Sequence, residues 1–208
     1  MTFVAGKDTH AYYTADYYKS SNYADYLERA DRYKKTAYEL ADLLRKLSLL
    51  DKDSQIVDYG CAIGFLLEGF KELGYSNLIG YEVSDWAISQ GRNRGNRIVK
   101  WDATHLQTWS ADVLTALDVF EHMEDKDILN VLSVLTPKAM VIRIPTSVDD
   151  GKTFALKVSQ ADPTHINCKT KEQWIEFFKK AGYATFLRLN LFTVYDTPGV
   201  SCFLCLQS

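Results

Sequence analysis

No apolar run in the 208-residue chain approaches the ~20 residues that span a bilayer as a helix. Met1 to His10 lacks the apolar core of a secretory signal. The formal net charge is −3, so no overall basic field points to nucleic acid. Four cysteines without a secretion signal suggest free thiols in a reducing compartment. Two of them form Cys202-x-x-Cys205, but no second pair accompanies it. The surrounding residues suggest a strand, on which positions three apart face opposite ways, so no metal or disulfide is expected there. Internal repeats, low-complexity tracts and long linkers are all lacking. What remains is a single cytoplasmic domain over residues 1–208, with no membrane partner and 47% apolar residues to build a core. Oligomeric state is not legible.

Two phosphate-binding signatures are also missing. The segment Ile56-Val57-Asp58-Tyr59-Gly60-Cys61-Ala62-Ile63-Gly64 suggests a buried strand, an acid at its end, and a small-residue turn opening a helix over Phe65 to Leu73. Glycines at such a turn let the backbone pass close to a ligand. The helix directs its free N–H groups and positive dipole end to the same spot, which suits a nucleotide or a carboxylate. A dinucleotide site needs Gly-x-Gly-x-x-Gly. Here Ala62 and Phe65 occupy the second and third glycine positions, and no Gly-Lys-Ser/Thr follows.

The order of elements specifies a fold class. Tyr23 to Leu47 carries an apolar stripe at helical spacing, after a Tyr-rich stretch. Strands are then expected at 56–59, 78–83, 97–101, 111–117 and 139–144, alternating with helices. Ser84 caps the helix after the second strand, and Thr170 with Gln173 forms a capping box for the last helix. Two strands, 184–190 and 201–206, close the chain without an intervening helix and should pair antiparallel. Alternation of this kind gives an α/β fold with a parallel sheet covered by helices on both faces, and ligands beyond the carboxyl ends of its strands. Glu82 ends the second strand, where a carboxylate can accept two hydrogen bonds from a ribose diol. Asp102 follows the third strand, and the fourth ends in Leu117-Asp118-Val119-Phe120-Glu121-His122-Met123.

Asp58-x-Gly60-x-x-x-Gly64 and Asp118-Val-x-Glu-His122 together resemble motifs of the class I S-adenosylmethionine-dependent methyltransferases, small-molecule and sugar methyltransferases among them. The resemblance implies a Rossmann-like seven-stranded sheet, five parallel strands plus a C-terminal antiparallel hairpin. It also implies an N-terminal helical lid over residues 1–50, the core occupying 51–208. S-adenosylmethionine would be the cofactor. Asp58, Gly60, Cys61 and Gly64 would lie along its methionine part, Glu82 would hold the ribose, and Val83 would pack on the adenine. Asp102 and the backbone N–H of Ala103 would meet the adenine edge. Asp118 would sit near the sulfonium, and Tyr18, with Tyr13 and Tyr17, would belong to the lid. Ala62 stands where many members carry a glycine, a place alanine fills when φ is negative.

The implied reaction is methyl transfer to a hydroxyl or amine of a small molecule, a sugar-containing metabolite being one class. The alternatives are a binding protein that keeps the fold without turnover, and a protein or RNA methyltransferase. No Asn-Pro-Pro-Tyr-like motif follows the fourth strand. Asp162-Pro163-Thr164-His165 resembles an acceptor-facing stretch of the family. A neutral imidazole can take the acceptor's proton, which makes His165 the first candidate base and His122 the second. Glu121, His122 and His165 could instead hold a divalent metal, although no metal is the expectation. His10 and His105 lack such context. The long stretch from Ser147 to Gln160 suggests a wall of the acceptor site, with Arg143 and Lys157 as contacts to an anion.

Overall fold

A computed structural model describes residues 12–19, 25–102 and 110–207. The chain forms two compact units, residues 1–104 and 105–208. The first unit holds β1 (Ile56–Tyr59), β2 (Leu78–Glu82) and β3 (Ile98–Lys100) in the order β3-β2-β1, and the second holds β4 (Val113–Leu117), β5 (Ala139–Pro145), β6 (Tyr183–Arg188) and β7 (Val200–Gln207) in the order β4-β5-β7-β6.

In the first unit a 3₁₀ turn, Tyr26–Arg29, leads into α1, Ala30–Lys46. The expected helix therefore begins later as an α-helix, and Tyr23 lies outside the described residues. Within α1 the stripe residues Ala37, Leu40 and Leu44 are buried, as their spacing requires, whereas Leu27 and Leu47 at its ends are exposed. Then β1 (Ile56–Tyr59), α2 (Phe65–Glu72), β2 (Leu78–Glu82), α3 (Asp85–Asn93) and β3 (Ile98–Lys100) alternate. β1 pairs parallel with β2, with Asp58 opposite Gly80, and β2 pairs parallel with β3. Every residue of β1 is buried, as a strand covered on both faces requires. Ser84 caps α3 as expected, accepting the Ala87 N–H at 3.2 Å.

In the second unit, β4 (Val113–Leu117) pairs parallel with β5 (Ala139–Pro145), and α4 (Asp125–Leu135) lies between them in sequence. The stretch expected as a loop contains a short helix, α5, Lys157–Ala161. Its five residues carry no side-chain cap, so its ends leave no mark in the sequence. α6, Lys171–Lys180, begins at the full Thr170–Gln173 capping box. β6 (Tyr183–Arg188) pairs antiparallel with β7 (Val200–Gln207), which pairs antiparallel with β5. Cys202 and Cys205 are buried free thiols in β7, opposite Arg143 and Met140. Among the described residues, no helix is long and apolar enough to cross a membrane.

Candidate active site

The turn after β1 is built from left-handed backbone. Gly60, Ala62 and Gly64 have φ of 72°, 48° and 90°. Ala62 thus departs from the negative φ expected of an alanine. Its N–H donates to Glu82 Oε2 at 2.8 Å, and that bond holds the residue in a region unfavourable for a side chain by about 1–2 kcal/mol. The N–H groups of Gly60 and Cys61 both reach the Tyr81 carbonyl, at 2.8 and 3.1 Å, tying the turn to the end of β2. Gly64 caps α2 without a side chain, so no side chain shields the helix's first N–H groups. A Cβ at Gly64 would stand 2.8 Å from Asn96 Nδ2, so glycine is required there by φ and by space.

Two acids flank this turn inside the unit, Asp58 at 5% exposure and Glu82 at 6%. Buried acids are rare unless engaged. Glu82 Oε1 accepts from the Val83 and Ser84 N–H groups at 2.7 and 2.9 Å, and with the Ala62 bond this fixes the carboxylate against the glycine turn. Cys61 is buried beside both acids. Burial first, then their charges, holds its thiol well above the usual range, so it is a packing group there. Val83 is half-buried and Asp102 exposed, while Ala103 lies outside the described residues, as do His10 and His105.

The tyrosines expected as a lid are packed. Tyr18 is 8% exposed and shares a cluster with Tyr26, Ile63, Phe65 and Ala87. Its ring stacks on Trp86 at 4.9 Å, and Ser84 Oγ donates to the Tyr13 carbonyl at 2.5 Å. Phe65, where a dinucleotide site has glycine, is buried against Tyr26, with ring centroids 5.4 Å apart.

In the second unit the residues after β4 form a separate cluster. Asp118 has φ of 57° and its carboxylate forms an ion pair with Arg143, so Arg143 is engaged within its own unit. Glu121 is 1% exposed. Its carbonyl accepts the Ile166 and Asn167 N–H groups, each at 2.9 Å, bringing the 162–167 segment to the end of β4. His122 and His165, the two candidate bases, meet edge to face with centroids 4.6 Å apart. Their Nε2 atoms lie 3.9 and 4.0 Å from Glu121 Oε1. Burial, then the neighbouring His165, lowers the pKa of His122 to about 4. Burial also lowers that of His165, partly opposed by Asp162. Burial, followed by the charge of Asp118, raises Glu121 well above the carboxylate range. Both imidazoles are therefore neutral at pH 7, with lone pairs to offer.

Thr164 and Asp162 carried no assigned role in the sequence, yet they orient this cluster. Thr164 Oγ1 donates to Asp162 Oδ1 at 2.6 Å and stands 2.8 Å from His122 Nδ1. The hydroxyl has one hydrogen, and the carboxylate takes it. His122 Nδ1 must then be the donor to Thr164, leaving its Nε2 lone pair toward Glu121.

A Rossmann-like sheet with a reversed last strand and a glycine turn after its first strand defines a class of α/β folds that bind ligands beyond the carboxyl ends of their strands. A model described as a methyltransferase domain matches residues 29–186, and the chain belongs to that family. No curated protein sequence matches the chain. Among solved structures, magnesium protoporphyrin IX methyltransferase from Synechocystis PCC 6803 with bound SAM is 14% identical, with a TM-score of 0.63. The match covers 99% of this chain and 100% of that one. A SAM-dependent methyltransferase from Archaeoglobus fulgidus is 17% identical over 88% of this chain and 99% of its own, with a TM-score of 0.61. The [4+2]-cyclase SpnF is 16% identical over 81% and 80%, with a TM-score of 0.60. At these identities the likenesses establish the fold.

Proposed function

We propose that the protein transfers a methyl group from S-adenosylmethionine to a hydroxyl or amine of a small molecule, with sugar-containing metabolites as the first class to try. The observation that carries this is the left-handed Gly60–Ala62–Gly64 turn pinned to a buried Glu82. Donor chemistry and shape suit the cofactor: close-approach backbone, an uncapped helix N-terminus, and two buried carboxylates for a ligand bearing an ammonium and a ribose diol. When bound, the cofactor supplies an electrophilic sulfonium methyl, which bonds to the acceptor as its carbon–sulfur bond breaks and S-adenosylhomocysteine leaves. In this reading Asp58 holds the ammonium, Gly60, Cys61 and Gly64 line the methionine part, Glu82 takes the ribose, and Val83 and Asp102 serve the adenine. Tyr18 braces the turn from behind rather than opening and closing over it.

In the second unit, His165 first and His122 second serve the acceptor. Their burial keeps both imidazoles neutral, and a neutral lone pair is what a departing acceptor proton requires. Alignment of donor and acceptor supplies most of the acceleration, and the base a factor on the order of 10²–10⁴. A net charge of −3 supports a small acceptor over RNA. Incubating the protein with methyl-labelled cofactor and separate pools of small metabolites, RNA and protein tests the reading. Label in the small-molecule pool supports the proposal. Label confined to RNA or protein refutes the acceptor class, and no label in any pool favours a binding protein.

A further inference from the structure

The Glu121–His122–His165 cluster has the composition of a metal site. One ligand atom from each lies within 4.8 Å of the other two. Both histidines among the described residues are in it, from segments brought together by the Glu121 carbonyl. Glu121 is 1% exposed, and its Oε2 has no hydrogen-bond partner among the described residues. A buried carboxyl oxygen left this way is unfavourable by about 1–3 kcal/mol unless something partners it. The two Nε2 atoms face the other oxygen of the same carboxylate at 3.9 and 4.0 Å. Two ligands at a tetrahedral ion with bonds of ~2.1 Å stand roughly 3.4 Å apart, so the three atoms, now within 4.8 Å of one another, must draw together by up to about 1.4 Å through side-chain rotation. The Asp162–Thr164 pair supplies what such sites need behind a ligating imidazole. It binds Nδ1–H of His122 and so fixes the ring with Nε2 inward.

We propose that Glu121, His122 and His165 bind a divalent transition-metal ion, with Thr164 and Asp162 as positioning residues for His122. Two imidazole nitrogens and one carboxylate suit zinc, manganese, iron or cobalt, whereas magnesium and calcium favour oxygen sets. Three protein ligands leave a position open. The role of that position rests on the methyl transfer proposed above and replaces direct proton abstraction by a histidine: the ion orients the acceptor's hydroxyl or amine there and increases its acidity, and the released proton goes to solvent.

Cobalt(II) is the probe. Added to the chelator-treated full chain, it should bind at one equivalent with visible absorption of nitrogen–oxygen coordination, and zinc(II) should displace it. His122→Ala, His165→Ala and Glu121→Gln should each weaken binding at least ~10-fold, and Thr164→Val by roughly 10–100-fold. Replacing the remaining histidines together, His10→Asn with His105→Asn, should change nothing. Should an alanine variant fail to melt cooperatively, Glu121→Gln and Thr164→Val, which preserve shape, decide the matter. Absence of cobalt binding, binding indifferent to Glu121→Gln and Thr164→Val, or binding lost in the His10/His105 double variant would overturn the ion site and leave His165 as the direct base. Calorimetry with S-adenosylhomocysteine on the same preparations separates the two readings. Cofactor binding without cobalt binding refutes the ion alone, and cobalt binding without cofactor binding refutes the methyl-transfer role.

Discussion

At the residue scale, three left-handed residues in five carry the turn, and each is held by a different means. Gly60 is eased by its lack of a side chain, Ala62 by its bond to Glu82, and Gly64 by both φ and the nearby Asn96. Gly64→Ala should therefore destabilise the protein by about 1–3 kcal/mol, from φ strain and crowding together. A urea midpoint equal to wild type would show that the turn relaxes freely. The thiols give a second check. Burial pushes Cys202 up to about 12 and raises Cys61 and Cys205 as well, whereas Cys168, also raised by burial, is only half-buried and so remains open to a reagent. The thiolate is the reactive form, so a thiol reagent at pH 8 should modify Cys168 first and the other three only on unfolding. Modification of Cys61 at the rate of Cys168 would contradict the burial of the turn. The motif residues themselves were legible in the sequence, because glycines, terminal acids and paired histidines each imply a local chemistry. The left-handed Ala62 was not, since φ is set by the partner its N–H finds. Nor was the Thr164–His122 contact, which joins residues 42 apart.

At the element scale, most boundaries followed from capping and period. Ser84 and the Thr170–Gln173 box start their helices where their chemistry requires. The reversed hairpin followed from two strand patterns with no helix between them. α5 was missed because five residues show no full helical period and no cap. The packing of the Tyr-rich stretch was not legible for a related reason. Tyr18 has no periodic partners along the chain, yet it stacks on Trp86 and joins the cluster under the turn. Loss of a ring at 8% exposure should be felt: Tyr18→Ala is expected to lower stability by about 2–4 kcal/mol. Unchanged denaturant stability with reduced turnover would restore the mobile-lid reading.

At the scale of the whole molecule, the alternation of strands and helices dictated the sheet, and the match over residues 29–186 places the chain in its family. What the alternation could not dictate is the acceptor. Side chains drawn from separated segments, such as those gathered at Glu121, leave no contiguous pattern in the sequence. The central claim is narrower and rests on the turn after β1. Isothermal titration of the purified chain with S-adenosylhomocysteine tests it most directly, with NAD as the competing ligand and Gly60→Val and Glu82→Gln as variants. The account predicts one-site binding of S-adenosylhomocysteine, none of NAD, loss in Gly60→Val where φ is 72°, and at least ~10-fold weakening in Glu82→Gln. Binding of NAD without S-adenosylhomocysteine, or cofactor affinity unchanged in both folded variants, would contradict it.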